Sequence, residues 1–119
     1  MHTRLRKLVM ILLLVAAAPA IAINTFFMDK MPIGHMTNED IDILMAAANA
    51  ALDGLPDGAT RHWSNDKTGA KGDLTLRATY QEGGQRCRDM QVENSAGGFS
   101  NRSVVTMCKQ PDGVWKLMR

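Results

Sequence analysis

The sequence predicts an α+β domain: one N-terminal amphipathic helix packed on a small antiparallel β-meander of four to five strands. Three observations predict it. Between Thr37 and Pro56 a single run of apolar residues recurs at helical spacing between cap signals. The texture then changes to short runs rich in Thr, Val, Leu and aromatics, divided by Gly-rich breaks. Two cysteines, Cys87 and Cys108, fall where hairpin geometry sets them side by side.

Ahead of the domain lies a leader. Arg4, Arg6 and Lys7 form a basic start, and Leu8–Ile23 is a 16-residue apolar stretch interrupted by Pro19. Small residues at Ala18, Ala20 and Ala22 end it in the manner of a secretory signal peptide, with cleavage expected after Ala22 and next after Ala20. The alternative is an uncleaved N-terminal anchor, for which the stretch is short against the ~20 residues a spanning helix needs. Either reading places the rest of the chain outside the cytoplasm, in the periplasm or cell envelope. Membrane contact is expected only through residues 8–28, and only if the leader stays in place. The expected organisation is leader 1–22, tether 23–36 and domain 37–119. Asn24–Met36 shows no period and reads as a tether or poorly ordered segment.

The helix is expected over about Asn38–Asp53. Thr37 is its N-cap, and Asn38, Glu39 and Asp40 place carboxylates in the first turn, where they offset the positive end of the dipole. Ile41, Leu44, Met45, Ala48 and Leu52 form the apolar stripe, and Gly54 and Pro56 end it. Five strands follow, about Thr60–Ser64, Asp73–Tyr80, Gln85–Glu93, Arg102–Lys109 and Val114–Met118. The breaks between them carry Gly69, Gly83-Gly84, Gly97-Gly98 and Pro111-Asp112-Gly113.

Turn positions fix the expected register. A turn at Gly97-Gly98 puts Cys87 opposite Cys108, within disulfide reach. A turn at Gly83-Gly84 pairs Tyr80 with Cys87, and one centred on Pro111-Asp112 pairs Cys108 with Trp115. The row Tyr80–Cys87–Cys108–Trp115 then reads as one layer of the core. Export favours the Cys87–Cys108 bond, because disulfides persist outside the cytoplasm; two reduced, buried cysteines are the alternative. A bulge would break this arithmetic.

The chain carries 14 Lys and Arg against 12 Asp and Glu. Three of the basic residues sit in the leader, so the exported part carries 11 against 12, a net charge near −1. That balance lacks the basic footprint of a nucleic-acid-binding domain, and no nucleic acid is expected. His2, His35 and His62 show no ligand spacing, so no metal and no cofactor are expected. No Ser sits in a Gly-x-Ser-x-Gly elbow, so no catalytic residue is assigned. By strand alternation Arg77, Arg86 and Arg88, with Lys116, share the face away from the Tyr80–Trp115 row. They form a candidate anion-binding patch for an envelope polymer or lipid headgroups. Thr75, Thr79 and Ser103 on that face fit ordinary solvated sheet equally well. Met90, Val92, Val105 and Met107 project there too, so which face is core stays open.

One ordered string remains: Trp63-Ser64-Asn65, Thr68-Gly69, Gly72, Tyr80, Gly84, Cys87-Arg88, Gly97-Gly98, Cys108-Lys109, Pro111-Asp112-Gly113 and Trp115-Lys116. It resembles the surface-antigen domain of proteobacterial envelope proteins, the group of the rickettsial 17 kDa surface antigen. The resemblance runs from about Ile41 to the C-terminus. It implies a non-enzymatic envelope protein with a structural or partner-binding role. The alternative is a periplasmic adaptor or inhibitor that docks another exported protein through a sheet edge or basic patch. Members of that group typically carry a lipoprotein signal and a glycine-rich segment ahead of this domain. Here no Cys stands near the end of the leader, and Asn24–Met36 holds one Gly.

Overall fold

A computed structural model describes residues 30–119. The leader, its cleavage point and the tether up to Asp29 lie outside the described residues. Helix α1 spans Asn38–Gly54. The Thr37 hydroxyl accepts the Asp40 amide at 3.1 Å and the Asp40 carboxylate accepts the Thr37 amide at 2.9 Å, a reciprocal capping box. Leu55, held in extended conformation ahead of Pro56, closes the helix.

Five strands follow: β1 Thr60–Ser64, β2 Lys71–Glu82, β3 Gln85–Ala96, β4 Phe99–Lys109 and β5 Trp115–Leu117. They pair antiparallel in chain order, a simple meander. Gly83-Gly84 and Gly97-Gly98 have positive φ at both positions, the conformation that a two-residue hairpin turn requires. Register is therefore fixed without slack, and Tyr80, Cys87 and Cys108 align as the turn arithmetic predicts.

Trp115 does not join that row. It pairs with Lys109, and Lys116 takes the place opposite Cys108. Gly113 (φ 84°) adds a left-handed residue after the Gln110–Gly113 turn, so the loop holds three residues and the register slips by one. A one-residue slip reverses the face. Trp115 thus lies on the helix side, where its indole N–H donates to Asp53 at 2.8 Å.

The helix covers the opposite face from the one that the cysteine row predicts. Trp63, Leu74, Leu76, Met90, Ala96 and Trp115 form the sheet half of the core. From α1 come Ala47, Ala51 and Leu52, with Ile43, Leu44 and Ala48 alongside. The helical stripe is turned by about one position from the expected one, and Met45 is 50% exposed. Small Ala47 and Ala51 allow close approach, and a polar pin at each end sets the rotation.

The first pin is Asp40, fully buried. Its carboxylate accepts the Thr68 hydroxyl and the Asn65 amide, both at 2.7 Å, which ties the helix start to the β1–β2 turn. These bonds, with Thr68 the largest contributor, hold its pKa below the usual aspartate value of about 3.9 against the effect of burial. In the native state Asp40 binds fewer protons than in the unfolded chain. Its contribution is therefore complete above pH ~4 and lost as pH falls through the folded value. Asp40→Asn is expected to flatten the acid limb of a stability–pH curve measured by urea unfolding, leaving its neutral shape unchanged.

The second pin is Arg88, whose guanidinium lies at the helix end. Nη1 donates to Leu52 O at 2.8 Å and Ala51 O at 3.3 Å, Nη2 to Leu55 O and to Asp57 at 3.1 Å, and Nε to Thr79 at 2.8 Å. Ala51 O also takes the Leu55 amide at 3.0 Å, whereas Leu52 O, with Pro56 four residues on, is a carbonyl that the helix C-terminus leaves unpaired at its negative pole.

Part of the expected tether is built into the domain. Pro32–His35 forms one turn of 3₁₀ helix with Pro32 buried, and the His35 ring stacks on Phe99 at 4.7 Å. A second close approach is at Gly72. The Trp63 indole crosses it to donate to Asn94 at 3.2 Å. A Cβ on Gly72 would lie 2.3 Å from the Trp63 nitrogen and 2.4 Å from the Glu93 carbonyl. Gly72→Ala is therefore expected to cost about 1–3 kcal/mol, read by thermal unfolding, because backbone as well as side chain must move.

Candidate functional site

The face that α1 leaves bare is organised by the same registers into rows across four strands. Ser64–Lys71–Ser95–Ser100 is the outermost, His62–Asp73–Glu93–Arg102 the next, and Thr60–Thr75–Gln91–Val104 the third. The twist of the sheet makes a cleft of about 720 Å³ over the first two rows. Trp63, Gly72, Asn94 and Asn101 in its lining are positions of the other face by alternation.

The second row carries two carboxylates, Asp73 and Glu93, directly opposite each other. Like charges so placed repel, and each meets a partner from outside the pair. His62 Nδ1 meets Asp73, and Arg102 Nε lies 2.8 Å from Glu93. The Gln91 amide also donates to Glu93 at 2.8 Å, and Arg77 donates to Gln91. The Lys71 ammonium has no partner among the described residues. The cleft thus presents hydroxyls and charges of both signs, largely in exposed pairs.

Further along this face the Tyr80 hydroxyl donates to Asp89 at 2.9 Å and the Thr106 hydroxyl at 2.7 Å. Arg119 reaches Glu82 at 3.2 Å, a contact that raises its pKa. Beside this cluster Cys87 and Cys108 are joined as a disulfide, with Cα atoms 4.0 Å apart and 0% and 2% exposed. Among the described residues no three His, Cys, Asp or Glu side chains gather as a metal site.

The four basic residues expected to share a face are separated. Arg88 is buried beneath α1 and already bonded. Arg86 stays on the helix side, exposed, near Asp53. A bulge between Leu76 and Ala78 makes Arg77 the extra residue, and its guanidinium turns to Gln91 on the bare face. The slip at Gly113 carries Lys116 to the bare face as well. The expected core row has the same outcome: Tyr80 and the cysteines lie on the bare face, and Trp115 under the helix.

The charged row was not found from the sequence. The Gly97-Gly98 turn that pairs the cysteines also pairs Glu93 with Arg102, so half of it was within reach of the same arithmetic. The pairing of β1 with β2 was not, because the Asn65–Ala70 loop folds around Asn65, which takes the Lys67, Thr68 and Gly69 amides.

A family model described as 17 kDa outer membrane surface antigen matches residues 50–116. A 17 kDa surface antigen of Rickettsia bellii (strain RML369-C) is 30% identical over 84 residues, 70% of this chain and 53% of the relative. That of Rickettsia prowazekii (strain Madrid E) is 31% identical over 81 residues, 67% of this chain and 51% of the relative. That of Rickettsia conorii is 30% identical over 84 residues. The chain spans about half the length of the curated relatives it matches. No solved structure matches it.

Proposed function

The chain belongs to the family of the 17 kDa outer membrane surface antigen, and from that premise we propose that it is a non-enzymatic protein of the cell envelope that holds another exported protein on the bare face of its sheet. The observation that carries the reading is the cleft over the His62–Asp73–Glu93–Arg102 row. Paired charges of both signs with hydroxyls beside them suit the mixed surface of a protein. An anionic lipid surface would call for an excess of basic residues, and the bare face does not concentrate them. The location follows from the family, from the leader-like start and from the disulfide, which belongs to an oxidising compartment. Among the described residues no helix is long and apolar enough to cross a membrane.

The test is formaldehyde cross-linking in intact cells with the Asp73→Ala, Glu93→Ala, Arg102→Ala triple variant beside the wild type. The reading expects a defined cross-linked partner with the wild type and its loss from the variant, at unchanged amount and disulfide state. An adduct that survives the triple substitution contradicts it.

A further inference from the structure

The sheet ends on an edge that is only half used. β5 pairs with the last part of β4, and beyond it Met118 and Arg119 reach Thr106. From Phe99 to Val105, β4 pairs with a strand on its β3 side alone among the described residues, and the Pro32–His35 turn meets it at Phe99. The direction of its free groups follows from the bonds it makes. The Gln110 and Thr106 amides donate to the β5 side, and β4 runs without a bulge against β3. The N–H and C=O groups of Ser100, Arg102 and Val104 therefore point out from the edge.

Sheets usually blunt such an edge with proline, a bulge, lysine or a covering element. Ser100–Val105 contains no Pro and no Lys, its one charged side chain is Arg102, and α1 lies over β1 and β2. Val104 is 54% exposed on this edge. Arg102, 67% exposed, engages Glu93 through Nε and retains its terminal amino groups for a second carboxylate.

We propose that the free half of β4 takes up an extended acidic segment of another polypeptide as a sixth strand, with a carboxylate set opposite Arg102. This deepens the partner-binding reading above, on which it rests, by naming the partner's form and charge. Arg102 is the one charged side chain among the three outward residues, and it favours an acidic neighbour directly across. A second copy of this chain fits poorly. A two-fold pairing centred on Arg102 sets Arg102 against Arg102. A shift one way drives the partner's Phe99 hairpin into Met118 and Arg119, and a shift the other way leaves Val104 facing Gly98. A single extended strand meets none of these obstacles.

The experiment uses the full exported, oxidised chain and two capped five-residue peptides, Thr-Val-Asp-Val-Thr and Thr-Val-Lys-Val-Thr, at millimolar concentration. Amide exchange is followed by NMR. The proposal expects the Ser100, Arg102 and Val104 amides to exchange about tenfold more slowly with saturating acidic peptide. The lysine peptide is expected to bind about fivefold more weakly. Val104→Pro removes an outward N–H without touching the β3 ladder and is expected to abolish the effect. Arg102→Glu is expected to reverse the peptide preference. Equal binding of both peptides, or binding that survives Val104→Pro, overturns the proposal. So do these three amides being protected in the chain alone, by residues 1–29 or by a dimer seen in sedimentation. If the edge stays silent while the triple variant of the charged row loses its cross-linked partner, the partner-binding reading stands and the edge assignment falls.

Discussion

Arg88→Ala is expected to cost about 3 kcal/mol in equilibrium urea unfolding, because hydrogen bonds from a charged group are worth about 1.5–3 kcal/mol and a buried acceptor left unpaired costs about 1–3. The Arg88 side chain is 2% exposed, but its partner Asp57 is 45% exposed, so the ion pair is screened and adds little to the figure. Removal of Arg88 strands the buried carbonyl of Leu52, an acceptor worth about 1–3 kcal/mol when left unpaired, and takes a donor from the part-buried Leu55 carbonyl; Ala51 O keeps the Leu55 amide. The substitution also leaves Asp57 without its cation; that carboxyl is held below its usual range by Thr79 first and Arg88 next. In a domain of this size each kcal/mol lowers the melting temperature by roughly 4–8 °C. Arg88→Lys is expected to recover little of this, because one ammonium with three donors cannot serve five acceptors spread over the helix end, Asp57 in the loop after it and Thr79 on β2. A loss below about 1 kcal/mol for Arg88→Ala would show that packing of Ala47, Ala51 and Leu52 holds the helix without the pin.

The second large effect is at the disulfide. Cys87 and Cys108 enclose a separation of 21 residues, for which the loss of unfolded-state freedom is worth about 3 kcal/mol. The Cys87→Ala, Cys108→Ala double variant, compared with the oxidised wild type by urea unfolding, is expected to show that deficit. Because both sulfurs are buried, the native exported chain is expected to take up no thiol label until it is unfolded and reduced. Labelling of either cysteine in the native, unreduced protein would contradict the assignment.

Cys87 and Arg88 sit next to each other in sequence, yet they were not equally legible. Cys87 was placed in the right register, though not on the right face, because two diglycine turns bracket β3 and fix the pairing beside each turn. The same logic failed at Trp115, where Gly113 lengthens the loop by one residue, and at Arg77, where a bulge reverses the face. Both are single-residue events that alternation cannot see, and each moves every side chain beyond it. Arg88 was misread for a different reason. An arginine on a strand reads as solvent-facing, and what draws it inward is the set of helix carbonyls that only the tertiary fold brings near. The choice of core face turned on the same residue. Met90, Val92, Val105 and Met107 marked the helix side correctly, but the arginines and threonines among them argued against it. The helix, by contrast, was readable almost to the residue, because Thr37, Asp40, Gly54 and Pro56 act locally.

The pins, the disulfide and the glycine crossing at Gly72 hold together a sheet that, among the described residues, has one face without a helix and one unpaired stretch of edge. Photo-cross-linking in intact cells tests that account most directly, with a cross-linking residue placed singly at Thr75, at Val104 or at Asn49. Thr75 and Val104 lie on the bare face and its edge, and Asn49 is exposed on the outer side of α1. The account predicts one common adduct from Thr75 and Val104 and none from Asn49. An adduct from Asn49 with none from the other two would contradict it.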